Sequence, residues 1–273
     1  MRKSIVSTLV TTAALMTLGF AVIDAGAAPC PARIRIAFAD SPAEPLLNGE
    51  GASFADPPGV GVEWLRSALR RLGCLEHAEL SRLPAARMRM EASAQQGQID
   101  LVPGVPEGSP NAVPLVLPTD VWGREQDVSM GLLEFSLFAR AADTPSWDGR
   151  RLALQPGQTV GATRGTATEF FARDQGWPLE LAPSYESSYQ KFMAGRSNYL
   201  FIYAPFMEGR THDTQTGARW QRLEPPVLVR RFHIASSRDF YRREPEFVQR
   251  LWVEMCLQGN AMRPRPLKCQ PHN

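Results

Sequence analysis

The sequence predicts an α/β protein of two lobes, each a mostly parallel sheet flanked by helices, with a cleft between them. Three observations carry that expectation. The N-terminal part alternates strand and helix as βαβαβ, the pattern of a sheet covered on both sides. A second strand-helix series begins at Thr159. Two long strand-like segments, Leu132 to Ala141 and Val227 to Ser236, lie where one series passes to the other, as connections between two lobes would.

Arg33 to Phe38 alternates like a strand with one buried face, and Ala39-Asp40-Ser41-Pro42 breaks it at its carboxyl end, where ligands of open α/β sheets sit. After a Pro/Gly-rich loop, Val62, Leu65, Ala68, Leu69 and Leu72 recur at helical spacing, which predicts an amphipathic helix. The preceding Gly59-Val60-Gly61 lacks a third glycine and an immediately preceding strand, so it is not a dinucleotide fingerprint. A short strand from Glu79 to Leu83, a helix from Ala85 to about Gln95, and a turn at Gly97 feeding a buried strand through Val105 complete the first series. Pro106 to Asp127 reads as loop, with Trp122 and Arg124 its most interaction-capable residues.

The second series opens on TVGATRGTATEFF, Thr159 to Phe171, which reads as strand, tight loop and helix. Such a turn aims helix N-terminal N–H groups above the sheet edge, where the dipole favours negative charge. Gly165 lets the backbone come close, Thr166 is placed to cap the helix, and Arg164 adds a fixed positive charge. A helix from Ser187 to Ala194, a Gly195 to Asn198 turn, a buried strand Tyr199 to Tyr203, a polar loop Gly209 to Gly217 and a closing helix Pro245 to Cys256 follow.

Composition excludes several classes. With 44% hydrophobic and 21% charged residues in 273, the chain is of ordinary globular make-up. Its net charge of +2 comes from 30 basic and 28 acidic residues without a Lys/Arg block, which argues against a nucleic-acid partner. Arg2 and Lys3, the apolar run Ile5 to Val22 and Ala25-Gly26-Ala27 form the layout of a cleaved signal peptide spanning residues 1–27; a retained anchor is the competing reading. Export to an oxidising compartment lets Cys30, Cys74, Cys256 and Cys269 form two bridges. The preferred pairing is Cys30 with Cys74, tying the first strand to the end of the first helix, and Cys256 with Cys269, tying the last helix to the tail. His77, His212, His233 and His272 are scattered and the cysteine spacings fit no zinc pattern, so neither metal nor cofactor is expected.

RIRIAF with its Asp-Ser-Pro loop, GVGVEWLRSALRRLG, LPAARMRMEASAQQGQIDLVPG, WDGRRL leading to TVGATRGTATEFF, YQKFMAGRSNYLFIY and FHIASSRDF occur in that order. In this order and spacing the mature chain resembles the bacterial extracellular solute-binding proteins of family 3, periplasmic partners of ABC importers for amino acids and related small polar ligands. The resemblance implies the type II periplasmic-binding fold. Lobe one would be residues 28–132 plus 237–273, lobe two residues 133–236, with crossing strands near Leu132 to Phe138 and His233 to Ser236, and hinge closure on a ligand. Ligand contacts would fall on Asp40, Pro103, Gly104, Arg164, Gly165 and Thr166. Where the family carries a ligand-gripping Arg, this chain reads VPEGSPNAV without one, leaving Arg124 as the substitute and Trp122 beside it. Where the family places an Asp for the ligand amine, NYLFIYAP offers Asn198 and Tyr203, an aromatic ring able to face a cation.

The leading expectation is a monomeric periplasmic protein that captures a small polar or anionic solute for a membrane permease. A sensor or accessory protein of the same fold, presenting its ligand to a sensor ectodomain, is the second reading. An exported enzyme similar to cyclohexadienyl dehydratase is the third, with Asp40, Glu63 or Glu169 as the general acid. Glu63 and Glu169 stand at helical positions suited to solvated or capping roles, and no hydrolase elbow, Walker loop or His-Glu-x-x-His helix occurs.

Overall fold

A computed structural model of the chain describes residues 30–93, 97–108, 114–118, 128–141, 143, 146–208, 210, 220–263 and 265–270. The expected signal segment, Trp122 and Arg124 lie outside the described residues, as do the end of the second expected helix at Gln95 and most of the polar loop after Gly209.

One curled sheet of ten strands runs through the molecule. Its strands are β1 (Ile34–Ala39), β2 (Ala78–Leu83), β3 (Leu101–Pro106), β4 (Leu115–Val116), β5 (Gly131–Arg140), β6 (Val160–Thr163), β7 (Leu179–Ala182), β8 (Tyr199–Tyr203), β9 (Trp220–Arg222) and β10 (Leu228–Ser237). The order is β2-β1-β3-β10-β5-β8-β6-β7, with β4 added on β10 and β9 on β5. Both ends are parallel, β2-β1-β3 and β8-β6-β7, and the middle is antiparallel. The sheet turns on β10, whose first half pairs with β5 (Leu228 with Phe135 through Phe232 with Gly131) and whose second half pairs with β3 (Phe232 with Pro106 through Ser236 with Leu101).

Seven helices are described: α1 (Val60–Arg71), α2 (Ala85–Ser93), α3 (Ala167–Asp174), α4 (Tyr185–Met193), α5 (Ala204–Glu208), α6 (Arg238–Arg243) and α7 (Pro245–Gly259). α1 buries Val62, Leu65, Ala68 and Leu69, its expected apolar stripe, and packs on α7. α4 starts where Ser184 accepts the Ser187 N–H at 3.1 Å, a side-chain cap that takes up one of the unpaired donors of the first turn. α7 begins with Pro245 at a position where a missing N–H is harmless.

Cys30–Cys74 and Cys256–Cys269 are the two disulfides. The core is a continuous apolar cluster from Ile34 and Leu65 at one end to Phe192 and Phe201 at the other. A smaller cluster under α2 holds Met88, Ala92, Ile99 and Val102. The elements absent from the sequence reading are short or edge pieces. β7 is the outermost strand, with Leu179, Glu180 and Leu181 only half buried, and at four residues its apolar-polar alternation is too short to mark a strand; β4, β9, α5 and α6 are too short to show a period.

Asp100, in the Gly-x-Ile-Asp turn, is a tie between strands. It is 2% exposed, and its carboxylate accepts the Arg35 backbone N–H at 2.8 Å and the Arg35 guanidinium at 2.9 and 2.8 Å. The forked geometry locks β1 against the start of β3. Of the three carboxylates considered as a general acid, Glu63 is on the exposed side of α1 and pairs with Arg66 at 2.8 Å.

Candidate functional site

A cleft of about 200 Å³ opens at the carboxyl ends of β1 and β6, where the two parallel ends of the sheet face each other. It continues into an adjoining space of about 180 Å³. The chain brings residues to it from both sides: Phe38, Ser41, Leu46 and Leu47 around the end of β1, Leu133 and Phe135 on β5, Thr163, Arg164 and Thr166 after β6, Tyr185 on α4, Tyr203 on β8 and Phe232 on β10.

Pro103 and Gly104 reach the cleft through a bulge. Against β10, Val105 pairs with His233 and Pro103 with Ile234, so Gly104 is the extra residue of β3. Its φ of 81° suits glycine, and a Cβ built there would meet nothing within 4 Å. The bulge breaks the ladder and bends the strand at the cleft wall.

The loop after β1 is held by a buried cation. Arg82, on β2 and 3% exposed, donates to the carbonyls of Ala39 (3.2 Å), Asp40 (2.7 Å), Asn48 (3.2 Å) and Ser53 (2.6 Å), and its guanidinium lies 5.7 Å from the Phe54 ring. Burial lowers its pKa, against the raising influence of Asp40 and Glu50. Arg82 thereby shapes the wall that presents Ser41, Leu46 and Leu47.

At the start of α3 the expected anion hole is already filled. Gly165 has φ 74°, and its N–H donates to Oε2 of Glu169 at 2.6 Å, while Oε1 accepts Arg173 Nε at 3.0 Å. Thr166 stands at the cap position, yet its hydroxyl donates to Thr163 O at 2.7 Å and bonds Thr168 Oγ1 at 2.8 Å. The capping is done by Glu169 reaching back, a shifted form of the capping box. Burial disfavours the Glu169 charge, but the Gly165 N–H, Arg173 and Arg164 outweigh it and hold the carboxyl below its usual range. Arg164 is exposed, lines the cleft, and has no side-chain hydrogen bond or ion pair among the described residues.

Of the residues expected to contact a ligand, Pro103, Gly104, Arg164, Thr166 and Tyr203 line the cleft, and Gly165 lines its continuation. Asp40 lines neither, although Ala39 and Ser41 beside it do; its Oδ1 accepts the Ser41 hydroxyl at 3.5 Å. The sequence reading missed Tyr185 and the apolar wall of Leu46, Leu133, Phe135 and Phe232. For Tyr185 the available signal was Ser184, a cap residue that starts α4 at the sheet edge. Burial pushes the Tyr185 phenol up to about 12 and raises the Tyr203 phenol further. Across the mouth, Arg210 after α5 donates to Glu186 at 2.9 Å, lies 3.8 Å from Glu44 in the loop after β1, and stacks 3.6 Å over the Phe206 ring.

A sheet whose two parallel ends meet through antiparallel crossing strands, with a cleft at the meeting, defines the two-lobed periplasmic-binding-protein fold. Solved structures that share it include a histidine kinase sensor domain with similarity to periplasmic binding proteins (16% identity, 86% of this chain and 96% of that one, TM-score 0.64). The GluR0 ligand-binding core from Nostoc punctiforme in complex with L-glutamate is similar at 14% identity, over 80% of this chain and 91% of that one, with TM-score 0.58. A putative ABC-transporter binding component from Wolinella succinogenes complexed with lysine matches at 12%, over 82% and 94%, with TM-score 0.57. At these identities the likeness is one of fold. No protein-family model and no curated protein matches the sequence.

Proposed function

We propose that this chain is an exported solute-binding protein, which captures a small ligand reversibly in the cleft and passes it to a membrane permease. The observation that carries this reading is the cleft itself, lined from both ends of the sheet and bridged by β5 and β10. Residues 28–132 plus 237–273 form one lobe and 133–236 the other, closing about those strands. The ligand-facing set is Pro103, Gly104, Arg164, Gly165, Thr166 and Tyr203, with Tyr185 added. Asp40, which stands between two lining residues, and Trp122 and Arg124, which lie outside the described residues, complete the proposed contact set. The solved structures with amino acids bound in the same fold support binding as the activity.

Residues 1–27 act as the export signal, and among the described residues no helix is long and apolar enough to cross a membrane. No reaction is proposed: Glu63 and Glu169 are each engaged in an ion pair, and Asp40 does not line the cleft. The sensor-domain neighbour supports the second reading, in which the same cleft reports its ligand to a signalling partner.

A thermal-shift screen of the purified protein against amino acids, organic acids, polyamines and inorganic anions tests the binding reading, because a ligand of the folded state raises Tm by mass action. A hit that also contracts the protein in solution scattering is the expected result. Failure of every solute class to raise Tm overturns it. Co-purification with a permease or with a sensor ectodomain separates the two partners.

A further inference from the structure

The lining of the cleft specifies its guest more narrowly than the fold does. Among the described residues around the cleft and its continuation, Arg164 is the one charged side chain. The remainder is aliphatic, aromatic, small or hydroxylic, dominated by Leu46, Leu133, Phe135 and Phe232. Of the carboxylates near the cleft, Asp100 is committed to Arg35, Glu169 to Gly165 and Arg173, and Glu186 to Arg210, while Asp40 carries no ion pair among the described residues but does not line the cleft or its continuation.

From this we propose that the guest is an apolar monocarboxylate, an organic acid with a hydrocarbon body and no ammonium group. It rests on the solute-binding reading above. An anion buried in an apolar cleft needs a fixed counter-charge, and Arg164 offers a planar fork suited to a carboxylate. The same cleft is hostile to a zwitterion. Its ammonium would be desolvated beside a guanidinium, with no described lining carboxylate to receive it. The body of the guest then gains from contact with the apolar wall in proportion to the area it buries. The volume, about 200 Å³, lies below the range of drug-sized ligands and suits a guest of amino-acid size.

Calorimetric titration of the full chain with matched probes tests this: 3-phenylpropanoate, its neutral amide 3-phenylpropanamide, and L-phenylalanine; then hexanoate against L-norleucine. Either 3-phenylpropanoate is expected to bind at least tenfold tighter than both 3-phenylpropanamide and L-phenylalanine, or hexanoate at least tenfold tighter than L-norleucine. Within the straight-chain acids from butanoate upward, affinity is expected to rise roughly three- to fourfold per methylene until the space is filled. R164Q is expected to weaken the acid at least tenfold and leave the amide unchanged; equal Tm of variant and parent shows that the fold is intact. Amino acids binding as tightly as the acids overturns the monocarboxylate while leaving solute binding in place. So does binding of polyamines or inorganic anions with none of these probes. Acid binding insensitive to R164Q overturns the role of Arg164.

Discussion

The Gly165 N–H points at the Glu169 carboxylate four residues on, at 2.6 Å, so the first turn of α3 carries its own anion. A helix N-terminus that would draw a ligand's negative charge is thereby satisfied from within, and the cation left facing the cleft is Arg164. The expected consequence of E169Q is a loss of about 1 kcal/mol of stability at neutral pH, the scale of a lost cap, read from the urea midpoint. Because Glu169 titrates below its ordinary value in the fold, its contribution is present above the usual carboxylate range and is lost as pH falls through the lowered folded value. The variant should therefore show a shallower acid limb.

Arg82 holds four carbonyls with no described carboxylate paired to it. R82M removes the donor that gathers these carbonyls, of which Asn48 O also accepts the Ala55 N–H at 3.2 Å, and is expected to destabilise the protein by roughly 2 kcal/mol, measured by chemical denaturation. R82K should recover little, since an ammonium cannot reproduce the planar fork. Proteolytic cutting between Asn48 and Ser53 should accelerate in both variants.

His233 sits in the strand on which the sheet turns, 1% exposed, with its pKa lowered from 6.5 to about 4, chiefly by burial. Glu107 favours its charged form, while Arg231 and Arg263 oppose it. The unfolded chain takes up the proton first, so stability is present above the ordinary histidine value and falls as pH drops toward the folded one. The loss is about 3 kcal/mol by the usual linkage relation. H233Q is expected to flatten that fall in thermal melts between these two pH values.

The two disulfides close loops of different length, with sequence separations of 44 and 13. In the chain-entropy account the longer stabilises by about 4 kcal/mol and the shorter by about 3 kcal/mol. Denaturation of the double-serine variants is expected to rank C30S/C74S as the more damaging. The opposite order would show that the Cys256–Cys269 bridge acts by holding the tail on α7 in the folded state.

The legible part of this protein was its local order. The stripe Val62-Leu65-Ala68-Leu69, the all-apolar run Tyr199 to Tyr203 and the cap-ready loop at Thr166 each announce an element within a few residues, because periodicity and turn chemistry act over one or two turns of chain. Four cysteines behind a segment that reads as an export signal suggested two bridges, an inference from compartment chemistry. The end of β1 and the turn after β6 could be placed at a cleft because strand-helix alternation puts those ends on one side of a sheet.

Other features depend on partners distant in sequence. Whether Asp100 grips a ligand or Arg35 depends on strands separated by the whole first helix, and only their pairing turns it into a tie. Asp40 and Ser41 are neighbours in the chain, but the path of the loop pinned by Arg82 puts one in the cleft wall and leaves the other out. The apolar character of the cleft arises from Leu46, Phe135 and Phe232, three separate pieces that read individually as ordinary core. Burial and charge balance are sums over neighbours in space, and those neighbours exist only once the chain has folded.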